Sequence, residues 1–270
     1  MTAAPDLRAR AEALGQTLPP LLAEAEMLAA TVMLGEHGRR RAGLGDEFWQ
    51  YRPAHQSDSP RMVDWRRSAR SDTHFVRERE WQAAQSVTLW VDPSKSMSFS
   101  GDKARAPKGD RARLLALALA VLLLRGGERV GLAGDEAAEE YGAPVADGMV
   151  SHGRAVFVSD FLGDLSQIEA GLGRAADRGV KGVLIQVLDP AEEEFPFDGR
   201  TIFESMGGTV RHETQQAGDL RARYLARLAE RKDRLATLGR AVGWHFSTHH
   251  TGNPAQSALL WAYGALEGGR

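Results

Sequence analysis

Within Val91-Asp92-Pro93-Ser94-Lys95-Ser96-Met97, a carboxylate is followed at two-residue intervals by two hydroxyls. In an extended loop, side chains two apart point to the same side, so Ser94 and Ser96 can face one point. A carboxylate and two hydroxyls are hard oxygen donors that suit Mg2+ or Mn2+. A second carboxylate, Asp160, ends the run Val156-Phe157-Val158-Ser159. If the strands before Asp92 and Asp160 are neighbours, the two acids meet at one rim and repel unless a cation or protons intervene. A divalent ion is the simplest resolution, and its unfilled coordination positions would accept an acidic oxygen from a partner. A metal-free site and a hydrogen-bonded turn are the alternatives, since Asp and Ser are common turn residues.

The elements around these residues alternate between strand and helix. Val87 to Asp92 reads as a buried strand, Arg111 to Arg125 as an apolar helix capped by Asp110, and Arg129 to Gly134 as a second strand. Glu140 to Val145 is expected to return as an antiparallel edge strand. Ala155 to Ser159 and Gly182 to Leu188 are further strands, with a helix at Ser166 to Arg178 between them. A long amphipathic helix at Gly218 to Gly239, a strand at Trp244 to Thr248 and a helix at Pro254 to Leu266 follow. This alternation predicts an α/β, doubly wound, mostly parallel sheet over 83–270, with ligands at the carboxyl ends of its strands. Residues 1–82 are expected to form an extension: a helix at Leu18 to Leu34, then a small β-rich region. From Glu36 to Glu80 there are ten arginines, no lysine and eight acids. That interleaving favours internal Arg–carboxylate pairing over a polyanion surface built with Trp49, Trp65 and Trp81.

Composition excludes several functions. There is no cysteine, so disulfides, thiolate metal sites and Cys nucleophiles are out. The net charge of -2 argues against a general nucleic-acid binder. The longest apolar run, Leu114 to Leu124, is shorter than the ~20 residues that a membrane span takes. With no signal-peptide core at Met1 to Arg10, the expected location is the cytoplasm.

The Asp92, Ser94 and Ser96 triplet, followed by Asp160, resembles the metal-ion-dependent adhesion site of von Willebrand factor A domains. That fold normally adds a threonine, yet no threonine lies between Thr88 and Thr201, and Ser151 or Asp147 are the substitutes considered. Upstream, Gly35-Glu36-His37-Gly38-Arg39, Gly43-Leu44-Gly45-Asp46-Glu47-Phe48, Asp64-Trp65-Arg66 and Val76-Arg77-Glu78 keep an order and spacing found elsewhere. They resemble the bacterial family catalogued as domain of unknown function fifty-eight. The resemblance implies a non-enzymatic adaptor that works with a MoxR-type AAA+ ATPase on a client protein.

The rival readings are weaker. Asp92 as a phosphoryl-accepting nucleophile, as in haloacid-dehalogenase-like phosphatases, lacks the acid two residues on, where Ser94 stands. A nucleic-acid binder would use Arg39, Arg40, Arg41, Arg66, Arg67 and Arg70. Gly101 to Arg111 lacks the ending of a phosphate-binding loop and reads as a solvated rim loop. His249 and His250 have no zinc spacing and read as exposed loop residues.

Overall fold

The computed structural model describes residues 19–35, 48–54, 63–69, 73–79, 85–134 and 140–267. The chain divides into two compact units, Glu36–Ala84 and Met1–Gly35 with Gln85–Arg270. The first helix, α1 (Pro19–Gly35), belongs to the larger unit. Its Ala25, Ala29 and Val32, spaced four and three apart, are buried in the main core.

In the small unit, β1 (Phe48–Pro53) pairs antiparallel with β2 (Phe75–Arg79). Between them lies α2 (Trp65–Ser68), capped by Asp64, whose Oδ1 accepts the Arg67 N–H at 3.0 Å. Ser68 Oγ donates to the Asp64 carbonyl and accepts from the Phe75 N–H, tying the helical turn to β2. Arg66 and Arg67 are exposed. Arg39, Arg40, Arg41 and Arg70, and most of the acids set against them, lie outside the described residues.

The large unit is built on five strands: β3 (Ser86–Val91), β4 (Arg129–Ala133), β5 (Arg154–Ser159), β6 (Lys181–Leu188) and β9 (His245–His250). Their order is β4-β3-β5-β6-β9, and every neighbouring pair is parallel. Alternation along each strand sorts side chains between two faces. Val156 and Val158 of β5 enter one core with Val183, Ile185 and Val187 of β6. That core also takes α1, α3 (Lys108–Arg125) and α7 (Ala255–Glu267). Ala155 and Phe157 enter the other, with Trp90, Leu184 and residues of α4 (Leu165–Asp177) and α6 (Gly218–Ala241). The sheet is thus covered by helices on both sides, as its near-continuous apolar strands require.

Three expectations change. The segment at 140–145 forms no strand, because its backbone is used to cover the strand-end site described below. Asp110 does not cap α3; the helix begins earlier, at Lys108, with Pro107 in the capping position. After β6, a short helix α5 (Pro190–Glu194) and a hairpin of β7 (Thr201–Glu204) and β8 (Arg211–Thr214) occupy a stretch to which periodicity assigned no element. Among the described residues, no helix is long and apolar enough to cross a membrane.

Gly182 is paired with Ala155 in the β5–β6 ladder, and a Cβ there would lie 2.0 Å from the Ala155 carbonyl oxygen. Backbone cannot yield as a flexible side chain can, so Gly182→Ala should cost about 3 kcal/mol, at the upper end of overpacking penalties. Urea denaturation checks this: the midpoint should fall with an unchanged slope.

Candidate site at the strand ends

Strand order reverses between β3 and β5, the crevice where open α/β sheets bind ligands. Val91 is in register with Val158, and the Asp92 N–H donates to the Val158 carbonyl at 2.9 Å. Asp92 and Asp160, the residues that leave β3 and β5, therefore share one rim, and both are buried. Ser94 and Ser96 are buried beside Asp92, with their Oγ atoms 3.1 Å apart. All four predicted residues thus converge on this rim.

The Asp92 carboxylate is held on both sides. Oδ1 accepts the Ser94 N–H at 2.8 Å, and Oδ2 accepts the Ser159 hydroxyl at 2.5 Å. Burial pushes its pKa up, the Ser159 and Ser94 hydrogen bonds oppose that, and Asp160 adds to the rise. Among the described residues it forms no ion pair. The loop at 140–146 closes over it: a Cβ on Gly142 would lie 2.1 Å from Oδ1, and the Glu140 carbonyl accepts the Ser96 N–H at 3.0 Å. The backbone of Glu140 to Gly142 therefore stands against the Asp92–Ser96 loop. Ser151 and Asp147 do not reach it. They lie in turns that lead into the amino end of β5, where the His152 N–H donates to the carbonyl of Arg178, the residue after α4.

Asp160 has a different partner. Lys108 Nζ, 1% exposed, donates to Asp160 Oδ2 at 2.9 Å and to Glu192 Oε1 at 2.7 Å. Burial pulls the ammonium toward neutrality, but Asp160 and Glu192 outweigh it and the net shift is upward, so Lys108 is charged. The remaining bonds fix both carboxylates. Asp160 Oδ1 accepts the Leu162 N–H, and Glu192 Oε2 accepts the Asp189 N–H within a capping box that starts α5. Phe161, between Asp160 and Leu162, sits at φ +50° although it is fully buried. A bulky residue in that region stores roughly 1–3 kcal/mol, which here sets the turn that aims Asp160.

Lys108 and Glu192 were not among the residues predicted for the site. Lys108 lay in the stretch read as a solvated loop, but it opens α3. It falls in the buried stripe Lys108, Ala112, Leu115, Leu119 and Leu122, spaced four, three, four and three. A cation in an apolar stripe needs buried partners, and that was the available signal. Glu192 was legible from Asp189-Pro190-Ala191-Glu192, the spacing of a capping box.

The two histidines close β9 instead of lying in a loop. His249 is 5% exposed, and its Nε2 lies 3.0 Å from Arg111 Nη1. Guanidinium only donates, so Nε2 accepts and the ring is neutral. Among the described residues, no cluster of three or more His, Asp or Glu is placed to hold a metal ion.

Two outcomes are expected. Lys108→Met should destabilise the fold by about 3 kcal/mol, because it strands the buried Asp160 carboxylate and the partly buried Glu192; Lys108→Met with Asp160→Asn should recover part of the loss in chemical denaturation. Burial, with Arg111 and then His250, lowers the His249 pKa from 6.5 to about 4. The unfolded chain then binds the extra proton between those values, so this stability is complete above pH 6.5 and is lost as pH falls toward 4. Wild type should lose about 3 kcal/mol more than His249→Gln across that window, measured by denaturation at each pH.

No curated protein and no solved structure matches the chain. Residues 50–152, which carry β3, the Asp92–Ser96 loop, Lys108, α3 and β4 but stop short of Asp160, match the model of the family described as protein of unknown function DUF58.

Proposed function

We propose that the strand-end site is the docking point of a non-enzymatic protein-binding module, completed by Mg2+ or Mn2+ at Asp92, Ser94 and Ser96. The observation that carries this reading is the pair of buried hydroxyls 3.1 Å apart beside a buried carboxylate with no ion pair among the described residues. An ion with ligands at about 2.0–2.1 Å has adjacent ligands about 3 Å apart, so the hydroxyl spacing fits one small divalent ion. When bound, such an ion would supply a Lewis-acidic position for a partner's carboxylate oxygen.

The chain's own residues do the positioning. Asp92 already receives hydrogen bonds at both oxygens, so its role is to neutralise the ion from just behind the hydroxyls. Asp160 turns one oxygen to Lys108 and contributes its negative potential from the neighbouring strand. Lys108 limits the site's charge, so that carboxylates can sit together before any ion arrives. The buried, doubly bonded Asp92 does not favour a phosphoryl-accepting nucleophile. The DUF58 resemblance extends the proposal to a role as adaptor for a MoxR-type AAA+ ATPase acting on a client protein in the cytoplasm.

Titration with MgCl2 or MnCl2 tests the ion directly. The wild-type melting temperature should rise with metal concentration, as mass action requires of a ligand that prefers the native state. Ser94→Ala with Ser96→Ala should remove that rise while leaving the metal-free melting temperature close to wild type. An equal rise in wild type and double variant would overturn the site. Asp92→Ala should likewise lose metal-dependent capture of the ATPase.

A further inference from the structure

Beside the strand-end loop, with Ser96 and Asp160 in its lining, lies a cavity of about 200 Å³. Its floor is the Lys108, Asp160 and Glu192 group. Its wall is a cluster of aromatic rings. Phe195 packs edge-on against Phe197 at 5.2 Å and stacks with Phe203 at 5.6 Å, and Tyr224 lies 4.9 Å from Phe195. Phe195 is held in the left-handed region, φ +47°, at the end of α5, so the short helix that carries Glu192 also aims this ring.

The polar lining is lopsided. Four carboxylates, Glu140, Asp160, Glu192 and Glu204, face one ammonium, Lys108, which is already shared between two of them. Glu140 is the informative one. Among the described residues, its Oε2 takes a long contact of 3.5 Å from Thr209 Oγ1, and its Oε1 is shut off from solvent with no hydrogen-bond partner. A buried carboxylate oxygen left unbonded is costly, and buried polar groups without partners call for an explanation. Lys95 is exposed and makes no ion pair with Glu140 among the described residues.

Aromatic faces carry negative potential and attract cations, most strongly where water is excluded. The guanidinium group suits this lining better than an ammonium, because it stacks flat on rings and presents a fork of donors to a carboxylate. We propose that the cavity receives the arginine side chain of a partner polypeptide, its guanidinium stacked on the aromatic wall and donating to Glu140. A route in exists: Tyr141, Leu162 and Tyr224 line both this cavity and a larger groove of about 990 Å³ along α6. A chain segment lying in that groove would turn one side chain inward. This subsite shares Ser96 and Asp160 with the rim of the ion site but recognises the opposite charge and needs no ion of its own.

The test uses N-acetyl-arginine amide as probe and N-acetyl-citrulline amide as its neutral isostere. Both are titrated into the 15N-labelled full chain with chelator present, so that failure of the metal reading cannot affect the result. Saturable amide shifts at Glu140–Gly142 and Phe203–Met206 are expected with the arginine probe and not with citrulline. Glu140→Gln should weaken binding about tenfold, the loss expected of one hydrogen bond to a charged group. Phe203→Ala, on the β7–β8 hairpin, should weaken it as well with its melting temperature near wild type. Absence of saturable shifts, equal shifts with citrulline, or unchanged affinity in Glu140→Gln would each overturn the proposal.

Discussion

A single buried ammonium lets three elements meet. Lys108 opens α3, Asp160 leaves β5 and Glu192 sits in α5, and their charged groups converge within hydrogen-bond distance, with Lys108 and Asp160 buried and Glu192 largely so. Without the cation, two carboxylates at that depth would drive one another toward protonation or drive the elements apart. With it, the carboxyl ends of β5 and β6 are locked to the helix that crosses between β3 and β4. Such a group adds little net stability compared with apolar packing, because desolvating three charges costs nearly what their attraction returns. Its contribution is positional: it permits one arrangement of three side chains and penalises the rest.

That arrangement divides the rim into two neighbouring environments. On the β3 side, Asp92 has hydrogen bonds but no cation, and the Ser94 and Ser96 hydroxyls stand in front of it. On the β6 side, Asp189 is satisfied by Arg105, by the Ala191 N–H and by the Thr251 hydroxyl, so it is a structural cap with no capacity left for a ligand. Of the three aspartates that end consecutive neighbouring strands, Asp189 is spent on the fold, Asp160 is shared with Lys108, and Asp92 is the one whose negative charge is least compensated. The covering loop at Glu140 to Gly142 reinforces the distinction. It can press against Asp92 because position 142 has no Cβ, and it delivers Glu140 to the cavity on the other side.

Much of this was legible in the sequence, for identifiable reasons. The five sheet strands were readable because a parallel sheet covered on both faces needs continuous apolar runs, and runs such as Ala155 to Ser159 are hard to mistake. The meeting of Asp92 with Asp160 was conditional on their strands being neighbours, and the β3–β5 pairing supplies that condition. What was missed depends on contacts that pattern does not encode. The segment at 140–145 alternates as a strand would, yet the Ser96 N–H and the space over Asp92 claim its backbone. His249 carries no local sign of burial, since that is decided by Arg111 arriving from α3. Lys108 is the instructive miss. Its charge suggested solvent, whereas its place in the α3 stripe required a buried counter-ion.

The two environments impose a constraint on any partner that engages both. A carboxylate suits the loop of Asp92, Ser94 and Ser96 once a divalent ion is present, and it is repelled by the acid-rich cavity. A guanidinium suits the cavity and is repelled by the ion. Lys108 keeps the two apart, because its ammonium, fixed between Asp160 and Glu192, repels a guanidinium that slides toward the loop. A segment carrying an acid and an arginine in the correct order would satisfy both, and the reversed order would meet like charge twice. Complementarity of this kind adds more to discrimination and register than to raw affinity.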